Sequence, residues 1–254
     1  MRFMVCGITH IGNIRGINQD NFYCEGCYRR LEEDVLTIER NIVDTQMWMA
    51  AVFDGMGGEK DGEIASLIAS ETSKELSGTK GHVDLDILIA TINDRICKER
   101  ENRKCRMGST CAFLEFSGNK CRSWNIGDSR TYLYRNKELT QLSVDHTEAA
   151  WYASYYNDNS ILKAVQESRL TQCLGIPESE FIIEPDVSSW KTIKENDLLM
   201  LCSDGLTHYV DDEEICRELK SGETLSDIRD SLLENALGHG GADNITILLI
   251  KATD

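Results

Sequence analysis

Residues 48–53, Trp-Met-Ala-Ala-Val-Phe, form an unbroken apolar run that ends at Asp54-Gly55. A run this short, without polar alternation, predicts a strand covered on both faces, with a carboxylate at its C-terminal end. Residues 198–202 repeat the arrangement and end in Ser203-Asp204-Gly205. Residues 245–250 predict a third buried strand, preceded by Asp243-Asn244. Between these, residues 110–116, 120–126 and 130–134 read as a β-meander, with Gly118-Asn119 and Gly127-Asp128 as its turns.

Elsewhere the apolar period becomes helical. Ile64, Leu67 and Ile68 recur at that spacing after a glycine-rich loop, and Leu85, Leu88, Ile89, Ile92 and Ile96 form a continuous stripe. Leu225, Ile228, Leu232 and Ala236 form another, with Thr224 and Asp227 as its N-terminal cap and Gly238 as its stop. Strands outnumber helices and often follow one another directly. That order predicts antiparallel sheets with helices packed outside, not an alternating βαβ fold. The stretch 147–180 is the least regular. Trp151, Tyr152, Tyr155 and Tyr156 share a helix face there, which predicts aromatic packing beneath a surface segment, with a substrate-facing lid as the alternative.

Charge narrows the function classes. Among 254 residues, 27 are Lys or Arg and 43 are Asp or Glu, for a net charge of −16. Such a chain is unsuited to nucleic-acid backbones and to anionic membrane surfaces. No apolar run approaches the roughly 20 residues of a membrane helix. Gly7, Thr9 and His10 interrupt the first apolar stretch, so it does not read as an export signal. The ten cysteines then read as reduced thiols of a cytoplasmic protein. Cys24 and Cys27 form a CxxC without a second pair at zinc-like spacing, so they read as ordinary thiols at a strand end. His10, His82, His208 and His239 are scattered, which predicts surface or packing roles, and Ser203 lacks a nucleophile elbow.

The candidate chemistry lies in a set of acids. Asp20, Asp54, Asp128, Asp204 and Asp243 each fall at a predicted strand boundary beside a Gly or Asn. If the strands bring one end together, these carboxylates crowd one cleft and repel one another unless cations neutralise them. Hard oxygen donors of this kind suit magnesium or manganese. The alternative is five unrelated turn-capping aspartates.

The order of motifs carries a family resemblance. Arg15-Gly16-Ile17-Asn18-Gln19-Asp20 is followed by Asp54-Gly55-Met56-Gly57-Gly58, Gly108-Ser109-Thr110 and Gly127-Asp128-Ser129-Arg130 with Tyr132. Leu142-Ser143-Val144-Asp145-His146, Leu201-Cys202-Ser203-Asp204-Gly205-Leu206 and Asp243-Asn244-Ile245-Thr246 complete the series. This order, spanning almost the whole chain, resembles the bacterial branch of the PPM family, the metal-dependent type 2C serine/threonine protein phosphatases. The resemblance implies an α+β fold, a four-layer α/β/β/α sandwich of two antiparallel sheets flanked by helices. It implies one catalytic domain over residues 1–254, with 147–180 as a divergent flap. It also implies two manganese or magnesium ions, with a third, weaker one. Asp54 would bridge the two metals, Gly55 would offer its carbonyl to one, and Asp204 and Asp243 would hold the other. Asp20 would orient metal-bound waters or bind directly, and Asp128 with Asp204 matches the third site. Arg15 would grip the phosphate, while His146 would have a structural role. The implied reaction is hydrolysis of phosphoserine and phosphothreonine in proteins by a metal-bridged hydroxide, and the implied partners are phosphorylated proteins and a serine/threonine kinase system.

Physical logic stands beside the resemblance. Two metals about 3.5–4 Å apart lower the pKa of a bridging water and screen the phosphate dianion. An Arg supplies planar, bidentate donors that a Lys cannot match. The sequence also departs from the pattern. Met56 and Glu59 stand where relatives carry a histidine, so no leaving-group acid is assigned, and Gln172 stands where an Arg is common. These departures motivate two alternatives, a catalytically silent phosphatase-like binding or regulatory module and a phosphatase of small phosphoesters. Retention of every metal-binding acid counts against the silent module.

Overall fold

The computed structural model describes residues 1–43, 47–57, 61–77, 84–155, 169–221 and 224–253. Two antiparallel sheets stack face to face. The first has the order β3 (Val35–Val43), β1 (Arg2–His10), β13 (Ile245–Thr253), β12 (Leu198–Cys202), β8 (Arg130–Arg135), β9 (Glu138–Gln141). The second runs β10 (Asp186–Val187), β7 (Lys120–Ile126), β6 (Cys111–Ser117), β4 (Met47–Met56), β2 (Asp20–Cys24). Short β11 (Lys191–Thr192) joins β7, and β5 (Gly108–Ser109) joins β4. Helices α1 (Gly62–Ser77) and α2 (Leu85–Arg103) back the second sheet, and α4 (Asp204–Thr207), α5 (Asp212–Ser221) and α6 (Leu225–Gly238) back the first. The expected α/β/β/α sandwich is what forms.

Three apolar layers explain the unbroken runs. In β4, Trp48, Ala50 and Val52 face the layer between the sheets, while Met49, Ala51 and Phe53 face α1 and α2. In β13, Leu248 and Ile250 face inward, while Ile247 and Leu249 face α4–α6. Each central strand is buried on both faces, so polar alternation would strand unpaired groups in the core. Thr224 and Asp227 form a capping box at the start of α6, as their spacing predicts.

Several expectations need correction. Residues 110–134 are not one meander. β6 and β7 pair within the second sheet, but β8 pairs with β12 in the first. Gly127, at φ +99°, turns the chain across, and this crossing sets Asp128 at the seam between the sheets. In α1, the buried face is not Ile64, Leu67 and Ile68 but Ala65, Ser66, Ala69, Ser70 and Ser73. Small residues let the helix approach β2 closely, and the Ser66 hydroxyl donates to the Gln19 carbonyl at 2.6 Å. Trp151 and Tyr155 do lie on a helix, α3 (Glu148–Tyr155), but α3 buries none of its residues and both rings are exposed. The positive-φ glycines past α6 are Gly240 and Gly241, not Gly238. Gly58, Glu59, His82, Tyr156 and much of the 147–180 segment lie outside the described residues. All ten cysteines are free thiols, and no described helix is long and apolar enough to cross a membrane.

Candidate active site

Sheet stacking gathers the five aspartates at one end of the sandwich. β2 and β4 pair so that Asp20 lies directly opposite Asp54. Asp20 is fully buried, and its Oδ2 accepts from the Ser203 hydroxyl at 2.6 Å and the Thr246 hydroxyl at 2.8 Å. Those two hydroxyls come from the other sheet, so Asp20 bridges the layers. Asp54 is held through its main chain. Its N–H donates to Thr110 Oγ1 at 3.1 Å, its carbonyl accepts from the Thr110 N–H at 2.9 Å, and the Thr110 and Ser129 hydroxyls pair at 2.7 Å. Two motifs that look unrelated in sequence thus support one carboxylate.

Asp204 opens α4 immediately beyond β12, and Asp243 lies two residues before β13. Gly205 permits their approach, since a Cβ there would lie 1.9 Å from the Asn244 carbonyl oxygen. Asn244 staples the opposite loop. Its Nδ2 donates to the carbonyls of Ile11 (2.8 Å) and Ile17 (3.1 Å), and its Oδ1 accepts from the Gln19 N–H at 2.7 Å. That loop carries Arg15, whose guanidinium contacts Asp243 Oδ2 at 2.7 Å. The Gly55 N–H donates to the Gln19 carbonyl at 3.1 Å, and its own carbonyl abuts Gly62.

The electrostatics are those of crowded acids. Burial, then neighbouring carboxylates, push Asp54 well above the usual carboxylate range. Asp20 and Asp128 are each pushed up to about 7, chiefly by burial. Asp204 is likewise raised, first by burial, and its Oδ1 is buried without a donor. Among the described residues, no three His, Cys, Asp or Glu side chains already converge as a ligand shell. The donor set nevertheless fits hard divalent cations, because it consists of carboxylate oxygens with one orphaned lone pair at its centre.

The remaining motif residues make contacts that tie the motifs together. Arg130 contacts Asp145 Oδ2 through Nε at 2.9 Å and Nη2 at 2.7 Å, and so ties two motifs together. His146 accepts the Gly127 N–H at Nδ1 over 3.4 Å, consistent with its expected structural role. Cys24 and Cys27 face each other across a two-residue hairpin turn. Gln172 accepts the Glu184 N–H at 2.9 Å. One histidine departs from expectation. His208 lies one helical turn beyond Asp204, with Nδ1 3.5 Å from its Oδ2, and lines a cleft with Asp128, Asp204, Ala149 and Ala153. Ser203 and Thr246, the binders of Asp20, carry no signal in sequence beyond their places in the motifs. Arg29 carries none at all.

A cluster of carboxylates at the seam of two stacked antiparallel sheets, with a guanidinium beside it, defines a metal-dependent phosphatase of the α/β/β/α class. The chain belongs to the protein phosphatase 2C family, whose profile matches residues 33–238. It is 30% identical over 255 residues to the serine/threonine phosphatase stp of Listeria monocytogenes, covering 96% of this chain and 93% of that one. It is 32% identical over 221 residues to the serine/threonine protein phosphatase PstP of Mycobacterium tuberculosis, covering 81% of this chain and 40% of that one. Among solved structures, the PstP catalytic domain in complex with two manganese ions superposes with a TM-score of 0.80 at 26% identity, covering 100% of both chains.

Gly205 supplies one prediction. A methyl at Gly205 would meet backbone that cannot swing away, unlike one at Gly16, where nothing lies within 4 Å. Overpacking of this kind costs about 1–3 kcal/mol or more. Gly205→Ala is expected to lose activity and to melt roughly 5–10 °C lower, at about 2–4 °C per kcal/mol for a chain of this size. Gly16→Ala should leave the melting temperature unchanged, as differential scanning fluorimetry would read.

Proposed function

We propose that the chain hydrolyses phosphoserine and phosphothreonine monoesters in proteins, with the Asp54, Asp204 and Asp243 carboxylates and the Gly55 carbonyl holding two manganese or magnesium ions. The observation that carries this reading is the crowding of buried Asp20 and Asp128 with half-buried Asp54 and Asp204 into one cluster. When bound, the two cations supply a nucleophilic water at neutral pH and neutralise phosphate charge.

The chain's own groups do the rest. Asp20, pinned by Ser203 and Thr246, orients solvent behind Asp54. Thr110 and Ser129 keep the Asp54 strand end fixed. Arg15, half exposed at the rim, turns from Asp243 to the phosphate oxygens, which its planar donors match in pairs. The phosphoresidue enters along the cleft lined by Asp128, Asp204 and His208, with the alanine face of α3 as its wall. The chain acts as one catalytic domain, the described parts of the 147–180 segment serve as its flap, and its substrates are the products of a serine/threonine kinase system in the cytoplasm.

Phosphate release from a phosphothreonine peptide tests the reading. Turnover is expected with manganese and none with excess chelator. Asp128→Asn should reduce turnover without abolishing it, because Asp128 lines the cleft from the seam and not from the Asp54 strand end. Phosphopeptide binding without turnover, in folded and manganese-loaded protein, would instead identify a silent binding module.

A further inference from the structure

Arg29 is among the largest fully buried side chains of the described residues, and no catalytic motif contains it. Between residues 25 and 34 it alone is buried. Its guanidinium forms no ion pair among the described residues. Instead Nε donates to the Asp20 carbonyl at 2.9 Å and Nη2 to the Asn18 carbonyl at 2.7 Å. Nη1 donates to the carbonyls of Arg30 (3.0 Å) and Glu33 (2.9 Å). Its own main chain is clipped by Asn21, whose Oδ1 accepts the Arg29 N–H at 2.8 Å and whose Nδ2 donates to the Arg29 carbonyl at 2.9 Å.

The place of these contacts matters more than their number. The Asn18 side chain accepts the Asp20 N–H at 3.1 Å, so Asn18–Asp20 is a folded unit gripped from beneath by one guanidinium. Asp20 is then fixed from two sides, by Arg29 on its main chain and by Ser203 and Thr246 on its carboxylate. Burial of a cation needs compensation. Four carbonyls provide it, and Asp20, Glu33, Asp34 and Glu63 add favourable field.

We propose that Arg29 is a positioning residue for the divalent-cation centre, clamping the Asn18 and Asp20 carbonyls so that the Asp20 carboxylate stands where the centre requires it. The proposal rests on the reading of Asp20, Asp54, Asp204 and Asp243 as that centre. Geometry and charge make opposite predictions here. A lysine keeps the charge but gathers its three donors at one nitrogen and cannot span these carbonyls. Removal of the charge alone would favour a cation nearby.

Manganese binding, measured by calorimetry on the metal-free 254-residue protein, separates these cases. Arg29→Lys is expected to weaken manganese binding by about 10–100-fold, the range for groups that orient metal ligands. Excess manganese should restore phosphopeptide turnover at a temperature where the metal-free variant is already fully folded, so that stabilisation of the fold by the ion does not account for the rescue. Wild-type affinity in Arg29→Lys, or tighter binding in Arg29→Gln, would overturn the proposal. If Arg29→Lys does not fold, Asn21→Ser releases the Arg29 main chain while keeping its guanidinium. Weaker manganese binding there supports the proposal, and unchanged binding overturns it. Failure of the wild-type protein itself to bind manganese would overturn the reading of the centre and the proposal together.

Discussion

Asp54→Asn is expected to abolish phosphate release while raising the melting temperature of the metal-free protein. The two effects have one cause. Asp54 is half-buried beside Asp20, Asp204 and Asp128, and its ionised form is disfavoured there by desolvation first and by those neighbours second. Without cations that carboxylate opposes folding. The substitution is isosteric, removes the charge, and brings an amide that can donate to Asp204, whose Oδ1 otherwise has no donor. A gain of a few degrees is expected, at about 2–4 °C per kcal/mol. Activity moves the other way. A metal pair contributes several kcal/mol of transition-state stabilisation, so turnover should fall by roughly a thousandfold or more. Phosphopeptide turnover and scanning calorimetry on the same preparation read both effects. Unimpaired turnover would remove Asp54 from the centre. Lost turnover with a collapsed melting transition would mean that the carboxylate holds the fold instead.

The same opposition between folding and function decides what the sequence reveals. Asp54 and Asp204 are legible because each follows an unbroken apolar run, and Asp243 because it shortly precedes a largely apolar one; such runs read directly as strands. The stripe from Leu85 to Ile96 is legible for the same reason. The face of α1 is not. Its buried positions are Ala65, Ser66, Ala69, Ser70 and Ser73, and small residues carry little hydrophobic signal although they set how closely the helix approaches β2. The switch of β8 to the other sheet is invisible too, because a turn at Gly127-Asp128 reads the same whether it closes a hairpin or crosses between layers. Arg29 is the extreme case. It is embedded in Tyr-Arg-Arg-Leu-Glu-Glu-Asp, a stretch that reads as a solvated charged loop. The carbonyls of Asn18 and Asp20, brought over it by tertiary structure, join those of Arg30 and Glu33 to make its burial possible. Local patterning therefore exposes the groups that would touch the cations and conceals those that hold them in place.

Manganese should stabilise the fold by an amount that depends on Asp54. A ligand that binds only the native state adds about 2.7 kcal/mol at a concentration 100 times its dissociation constant. At about 2–4 °C per kcal/mol, each saturated site should raise the melting temperature by roughly 5–11 °C, and chelator should reverse the shift. A net charge of −16 introduces a competing cause, since any divalent salt relieves general self-repulsion. The two causes differ in form. Screening grows smoothly with ionic strength and is reproduced by matched potassium chloride. Site binding saturates, ignores potassium, and requires the crowded acids. Asp54→Asn changes the net charge by one unit, so screening by manganese should persist in it almost unchanged, while the saturable shift should disappear. An equal shift in both proteins would mean that the aspartates at the strand ends are separate turn caps that share a surface charge and no centre.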